Sequence, residues 1–586
     1  MAGSPVERVT AEAVAGSTTG RFAILEQLLA DDIHYIFGNP GTVEQGFLDA
    51  LGSYPDLQYI LTLQETIAVA IADGYARARH RPAVVQLHSG VGLGNGVGML
   101  YQAKRGGTPL VVIAGESGVR YEAFDAQMAA DLVSIARPVT KWATRVTDPG
   151  SVLRVLRRAI KIAGTAPTGP VFVALPADVL DAVNTEPIVP SSMPATRTIP
   201  DAGSIGQAAT LLAGAERPIV IMGDGISMSG AQAELTHVAE LLGADVWGAN
   251  SSEVNIDAAH PLFCGNLGHM FGHHSGPIVA PADAVLIVGT YIFPEVFPAM
   301  TDVFAPGARI VHVDLDAYEI AKNFPVDLGI VSDPKLTLAA LGVVLGQQQT
   351  PAARAAADAR IAARRAARDQ ADVAARDADL EARKTVPLHA SEFMEALAAR
   401  LPDDAIIFDE ALTFSPEVTQ YLPPRRPGSF FQTRGGSLGV GIPGAIGAKL
   451  ANPDRTVVGF TGDGGSMYTI QALWTAAHHR IGAKFVILNN GAYQLLRLNI
   501  AQYWKDGGLP ENPFPESFDL GDPDIQFHEL AQAMGVGAVR VTSREQIGPA
   551  LDAAFADDRP FLVDLVINND VPNDVARAKH LKAGQS

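Results

Sequence analysis

The sequence predicts an α/β protein of three domains, each a doubly wound parallel sheet, and three observations predict it. Short apolar runs without polar alternation recur along the chain, among them Leu110-Val-Val-Ile-Ala114, Ala284-Val-Leu-Ile-Val288 and Arg309-Ile-Val-His-Val313. Strands buried on both faces read this way. Stretches with apolar residues at helical spacing separate these runs. The length of 586 residues exceeds what one hydrophobic core fills, so the elements must divide among domains.

Taken in order, residues 1–20 lack the basic start and apolar core of a secretory signal and are expected to be a flexible lead. A helix is expected over 21–31 and a strand over 34–37, ending at the breaker cluster Gly38-Asn-Pro-Gly41. Glu65 opens an Ala-rich helical stretch to residue 79, and the strand over 83–87 runs into a second Gly-rich loop, His88-Ser-Gly-Val-Gly-Leu-Gly-Asn95. With the strands at 110–114 and 169–175, residues 21–187 make one parallel α/β domain. The Pro- and Ser-rich stretch 187–200 reads as a linker. A second domain, 201–347, carries strands at Ile219, 284–288 and 309–313. Its turn Gly223-Asp-Gly-Ile-Ser-Met-Ser-Gly230 has the wrong spacing for a dinucleotide fingerprint, and no Walker-type loop occurs. Residues 348–387, rich in Ala, Arg and Asp with alternating charge, read as a solvated linker helix. On a second reading, Arg360, Arg364, Arg365 and Arg368 form a face for a phosphate-bearing substrate tail. The final domain spans 388–570, and 571–586 is a polar tail.

Composition narrows the function. A formal net charge of −19 with scattered Lys and Arg argues against a nucleic-acid binder. The sequence has no apolar run long enough to span a membrane. The single cysteine, Cys264, excludes an intramolecular disulfide and a multi-cysteine zinc site, and it fits a reducing, cytoplasmic location. His269, His273 and His274 have the loose spacing of a loop rather than of a metal site.

One stretch stands out. Gly462-Asp463-Gly464-Gly465 closes the apolar run from Arg455, a helix is expected over 467–478, and the next strand, 483–488, ends at Asn489-Asn490. Ligands of open parallel sheets bind at the carboxyl ends of strands, so Asp463 and Asn490 would meet at one site. A carboxylate and an amide carbonyl are hard oxygen ligands that suit Mg²⁺, which takes further ligands from water and a bound phosphate. The glycines let the backbone approach that phosphate. A plain surface turn is the alternative, and Gly223-Asp224-Gly225, which no Asn pair answers, reads as such a turn.

Together with Gly38-Asn-Pro-Gly-Thr42, Gln64-Glu65, Asp73-Gly-Tyr-Ala-Arg77, Leu87-His88-Ser89 and Gly435-Gly436-Ser437-Leu438-Gly439, this unit resembles the thiamine-diphosphate decarboxylase superfamily, most of all its benzoylformate decarboxylase branch. The resemblance covers essentially the whole chain and implies pyrimidine-binding, middle and diphosphate-binding domains in that order. It implies a homodimer as the minimal active unit, often a tetramer, with Glu65 of one subunit facing cofactor held by another. Glu65 would hydrogen-bond the cofactor's pyrimidine ring and so activate the thiazolium carbon. Leu438 would wedge the two cofactor rings together, and the Gly436 carbonyl would accept from the amino group. Asp463, Asn490 and the Ala492 carbonyl would hold Mg²⁺. Thr413, Gly464, Gly465 and Ser466 would hold the diphosphate, with Asn490 beside it.

His88 is the expected proton donor and acceptor, since imidazole titrates near neutral pH. The expected substrate lining is Thr42, His88, Phe271, Val296, Phe431, Tyr493, Gln494, Leu495 and Leu496. The chain departs from benzoylformate decarboxylases at two places. Val296 stands where that branch has a second active-site histidine, and Thr42 replaces a serine. The expected function is a lyase that makes or breaks a carbon–carbon bond next to a carbonyl in a small molecule. Plain 2-oxo acid decarboxylation, 2-hydroxyacyl-CoA cleavage and a catalytically silent cofactor-binding subunit remain as alternatives. No FAD site is signalled in the middle domain.

Overall fold

The structure is a computed structural model of the chain and describes residues 18–268, 270–300, 303–385 and 388–567. Residues 1–17 of the expected lead, the tail 571–586 and His269 lie outside them. By contacts the chain divides into two compact units, Met1–Ala76 with Arg81–Pro194, and Arg77–His80 with Ala195–Ser586. The second unit holds two sheets, so three sheet-centred domains are present.

In the first unit the strands are β1 (Thr18–Thr19), β2 (Tyr35–Gly38), β3 (Gln58–Leu61), β4 (Ala83–His88), β5 (Leu110–Glu116), β6 (Trp142–Arg145), β7 (Val171–Pro176) and β8 (Val183–Asn184). Six of them form a parallel sheet in the order β3-β2-β4-β5-β7-β6. Every residue of β5 and β7 is buried, which is why neither strand shows polar alternation. β1 pairs antiparallel with β8, so the lead ends in a short ribbon before the helix Gly20–Ala30.

The second unit carries β9 (Pro218–Met222), β10 (Asp245–Gly248), β11 (Phe263–Asn266), β12 (Ala284–Val288), β13 (Arg309–Asp314) and β14 (Leu328–Val331), ordered β11-β10-β9-β12-β13-β14. It also carries β15 (Ile406–Glu410), β16 (Phe430–Gln432), β17 (Val457–Gly462), β18 (Lys484–Asn489), β19 (Gly537–Val541) and β20 (Phe561–Val566), ordered β16-β15-β17-β18-β20-β19. Both sheets are parallel throughout.

Three local expectations need correction. The Gly-rich stretch after His88 is not a loop but the start of a helix, Ser89–Arg105. Two of its glycines sit where the helix comes close to its neighbours: a Cβ on Gly92 would lie 3.0 Å from Glu65 Oε1, and one on Gly96 would lie 3.3 Å from Leu87 Cδ1. Tertiary packing here overrides poor helix propensity. The helix expected over 467–478 is broken into Asp463–Ser466 and Ala472–His478.

The helix Pro351–Thr385 is present, but its arginines do not offer a phosphate-binding face. Arg360 donates to the Leu242 and Gly243 carbonyls at 2.6 and 3.1 Å, and Arg368 donates to the His260 carbonyl at 3.0 Å. Arg364 pairs with Asp245. They dock the helix on the middle domain, and only Arg365 of the four is exposed.

Candidate active site

Strand order places the working residues. In a sheet that starts a strand, adds the next on one side and then crosses to the other, a crevice opens at the reversal. The reversal lies between β2 and β4 in the first unit, and between β15 and β17 in the last domain.

At the first of these, β4 ends in His88, whose Nδ1 lies 3.0 Å from Glu44 Oε2. Glu44 Oε1 accepts from the Gly115 N–H at 3.0 Å, so the carboxylate is fixed from both sides. Burial pushes the Glu44 carboxyl above its ordinary value, and the His88 hydrogen bond opposes that rise. Glycine is required at two neighbouring positions. A Cβ on Gly41 would fall 1.9 Å from His88 Nδ1, and one on Gly115 would fall 2.4 Å from Glu44 Oε1. His88 is held through Nδ1, so Nε2 takes no part in the Glu44 contact. Thr42 is exposed in the same loop.

Glu65 begins the helix Glu65–Arg79 and is 5% exposed. Its Oε1 accepts from Asn39 Nδ2 at 3.1 Å and its Oε2 from Asn95 Nδ2 at 2.9 Å. Gln64 caps this helix, its Oε1 accepting from Thr66 N at 2.5 Å and Ile67 N at 3.4 Å. Glu65 is therefore free of capping work.

At the second reversal, Asp463 follows β17 and Asn490 follows β18, both buried. Asp463 Oδ1 accepts from Gly464 N at 2.7 Å, and Oδ2 accepts from Asn490 N at 3.1 Å and Gly491 N at 2.6 Å. Burial raises the Asp463 carboxyl above its ordinary value against these N–H donors. Asn490 Oδ1 accepts from Ala492 N at 3.2 Å. Asp463, Asn490 and the Ala492 carbonyl supply oxygen donors alone, the chemistry Mg²⁺ takes, so the residues present fit the ion. Among the described residues no group of three or more His, Cys, Asp or Glu side chains is arranged to hold a metal, and His273 and His274 stack on Phe271 or each other.

Ser466 is buried and its hydroxyl donates to the Asp463 carbonyl at 2.7 Å. A Cβ on Gly464 would lie 2.3 Å from the Tyr493 ring, so Gly464 is the residue that lets Tyr493 close on the turn. Thr413 lies in the short turn Leu412–Phe414 just beyond β15. Gly436 is exposed with φ +85°, and nothing stands within 4 Å of a Cβ built on it. Leu438 is half-buried beside it.

The remaining lining candidates divide. Gln494 is buried, with neither amide atom hydrogen-bonded, while Leu495 is half-buried and Leu496 exposed. Phe431 is a correction: it is fully buried and stacks on Phe408 with centroids 6.2 Å apart, so it belongs to the core. Phe271 and the exposed Val296 sit together in the middle domain, where Phe271 stacks on Phe297 at 5.4 Å. The second Gly-Asp-Gly turn is structural. Asp224 accepts from Ser252 N, Glu253 N and Asn255 Nδ2 at 2.8, 3.1 and 3.0 Å and pairs with Arg434 at 3.1 Å.

Sequence reasoning missed Glu44, Asn39, Asn95 and Glu410. Asp409-Glu410, two acids closing an apolar strand, was a readable signal. The partners of Glu44 lie on other strands and that of Asn95 opens another helix, so neither leaves a signal. Glu44→Gln keeps the shape but removes the charge that orients His88. Turnover should fall about 10- to 100-fold, as when an orienting carboxylate is lost, with cofactor affinity unchanged by calorimetric titration.

Comparisons with known proteins agree with this arrangement. Family models for the thiamine pyrophosphate enzymes match in order: the N-terminal TPP binding domain at residues 18–135, the central domain at 205–341 and the C-terminal TPP binding domain at 413–565. The chain is 33% identical over 537 residues to benzoylformate decarboxylase of Pseudomonas aeruginosa, covering 90% of this chain and 95% of that one. It is 30% identical over 566 residues to the acetolactate synthase large subunit of Corynebacterium glutamicum, covering 94% and 87%. Among solved structures, the thiamine diphosphate-dependent 4-hydroxybenzoylformate decarboxylase of Rhodococcus jostii RHA1 superposes with a TM-score of 0.80 at 27% identity, covering 94% of this chain and 100% of that one. Among the described residues no helix is long and apolar enough to cross a membrane. With three family domains in sequence and relatives matched nearly end to end, the chain belongs to the thiamine pyrophosphate enzyme family and is an enzyme that uses that cofactor.

Proposed function

We propose that the chain is a Mg²⁺-dependent lyase with a bias towards cleaving or forming a carbon–carbon bond next to a carbonyl. The observation that supports it most is the oxygen-only pair Asp463 and Asn490 at adjacent strand ends, beside glycines that leave room for a diphosphate. When bound, thiamine diphosphate supplies a nucleophilic carbon and an electron sink for the substrate carbonyl. Asp463, Asn490 and the Ala492 carbonyl would hold the ion. Gly464, Gly465, Ser466 and Thr413 would hold the diphosphate, with Leu438 and the Gly436 carbonyl placed to meet the rest of the cofactor.

Glu65 exchanges a proton at the pyrimidine ring nitrogen, its carboxylate held between Asn39 and Asn95. His88 Nε2 gives or takes the proton at the substrate oxygen or carbon, steadied by Glu44. The active unit is a homodimer, assembled further into a tetramer, and works in the cytoplasm. Thr42, Phe271, Val296, Tyr493, Gln494 and Leu495 line the substrate.

The bias rests on Val296, an apolar residue where benzoylformate decarboxylases carry a second histidine. With one proton donor fewer, carbon protonation slows and a second carbonyl competes for the nucleophile. The relative named benzoylformate decarboxylase supports plain decarboxylation as a second reading. The 2-hydroxyacyl-CoA reading loses its support, because Arg360, Arg364 and Arg368 are engaged in docking their helix.

Product partition decides between the two readings. Benzoylformate or pyruvate is supplied with excess aldehyde, and 2-hydroxy ketones are supplied separately. Ligated product and cleavage are expected. Rapid release of free aldehyde with neither of them would return the enzyme to the plain decarboxylases.

A further inference from the structure

The loop bearing Gly436 and Leu438 is rich in glycine. Gly435, Gly436 and Gly439 stand at φ +80°, +85° and +89°, a region glycine enters at no steric cost. Contacts from outside grip its Gly439–Gly441 end. On one side, Thr469 Oγ1 donates to the Gly439 carbonyl at 2.6 Å. On the other lies Glu410, the last residue of β15, at the reversal point of the sheet.

Glu410 is fully buried. Its Oε1 accepts from Gly439 N at 2.6 Å, and its Oε2 accepts from Gly441 N at 2.6 Å and Thr461 Oγ1 at 3.2 Å. No ion pair to it occurs among the described residues. Burial lifts the carboxyl to about 7, against the Gly441, Gly439 and Val440 N–H groups and the Thr461 hydroxyl. A buried carboxylate without a cation is costly to keep, and here its acceptor capacity goes to a glycine-rich loop rather than to a neighbouring charge. A Cβ on Gly441 would come within 3.0 Å of Glu410 Oε2, so the glycine admits the carboxylate to the backbone.

We propose that Glu410 is a positioning residue, which clamps both ends of the Gly439–Gly441 turn and so sets where Leu438 and the Gly436 carbonyl meet the cofactor. The proposal rests on the roles given to Leu438 and Gly436 above. The carboxylate geometry matters because two N–H groups are gripped at once. A glutamine offers one oxygen and turns an NH₂ towards the second N–H.

Glu410→Gln is compared with the unmodified protein in two measurements. Amide hydrogen exchange of residues 439–441 without cofactor reads the clamp itself. Calorimetric titration with thiamine diphosphate and Mg²⁺ reads its consequence. Exchange at least about tenfold faster and cofactor affinity at least about tenfold weaker, with an unchanged far-ultraviolet circular dichroism spectrum, are expected. Unchanged exchange overturns the clamp, and faster exchange with unchanged affinity overturns its role in positioning. An unmodified protein that binds no thiamine diphosphate would instead sink the functional reading, which separates the two failures. Should Glu410→Gln not fold, Thr461→Val removes one donor and leaves the carboxylate, and it should shift both readings the same way by a few-fold.

Discussion

Asp463→Ala should abolish turnover and leave no measurable thiamine diphosphate binding, while the far-ultraviolet spectrum stays that of a folded protein. The carboxylate works twice in this corner. On the proposed reading it is the charged oxygen donor to Mg²⁺, and it accepts from the Gly464, Asn490 and Gly491 N–H groups that shape the turn. Alanine removes the charge and leaves the buried Gly464 and Asn490 N–H groups unpaired, each worth about 1–3 kcal/mol, together with the half-buried Gly491 N–H. That cost loosens the turn but leaves the sheet beneath it in place. Because burial raises the Asp463 carboxyl, protons compete with the ion for it at higher pH than they would for an ordinary carboxylate. Mg²⁺ affinity should therefore weaken as pH falls through that raised range. Calorimetric titration checks both statements, and tight cofactor binding by Asp463→Ala would refute the metal assignment.

Glu65→Gln should slow deuterium exchange at the thiazolium carbon by about 10²- to 10⁴-fold, the scale of acid–base groups. The change is isosteric, so packing is kept. Of the two amide donors on the carboxylate, one will face an NH₂ group, at a cost of about 1 kcal/mol. Cofactor should still bind, since the diphosphate and metal groups are untouched. Exchange as fast as in the unmodified protein would leave Glu65 a structural residue at the head of its helix.

The strands were legible because those of a parallel sheet are buried on both faces and read as apolar runs, as Ala284–Val288 and the start of Leu110–Glu116 do. Their order was not, since nothing in one buried run says which neighbour it takes. The helix Ser89–Arg105 was missed because its alternating glycines mimic a loop, and only Gly92 and Gly96 among them are explained by a close approach, to Glu65 and Leu87. Asp463 and Asn490 were readable as ends of consecutive strands, and Glu410 as an acid closing an apolar one, whereas Glu44 acts on His88 and Gly115 with nothing in its own stretch to mark it. Phe431 was misplaced because an aromatic side chain looks the same in sequence whether it fills a core or lines a pocket.

The first and last sheets are wound in one order, second-first-third-fourth-sixth-fifth when each domain's six sheet strands are counted along the chain, whereas the middle sheet runs third-second-first-fourth-fifth-sixth. The corner after the third strand is then the same station in both outer domains, His88 in one and Asp463 in the other. On the proposed reading, one architecture used twice separates two duties, proton handling at the His88 corner and ion binding at the Asp463 corner. Substitutions around His88, Glu44 and Thr42 then leave the ligands of the ion untouched.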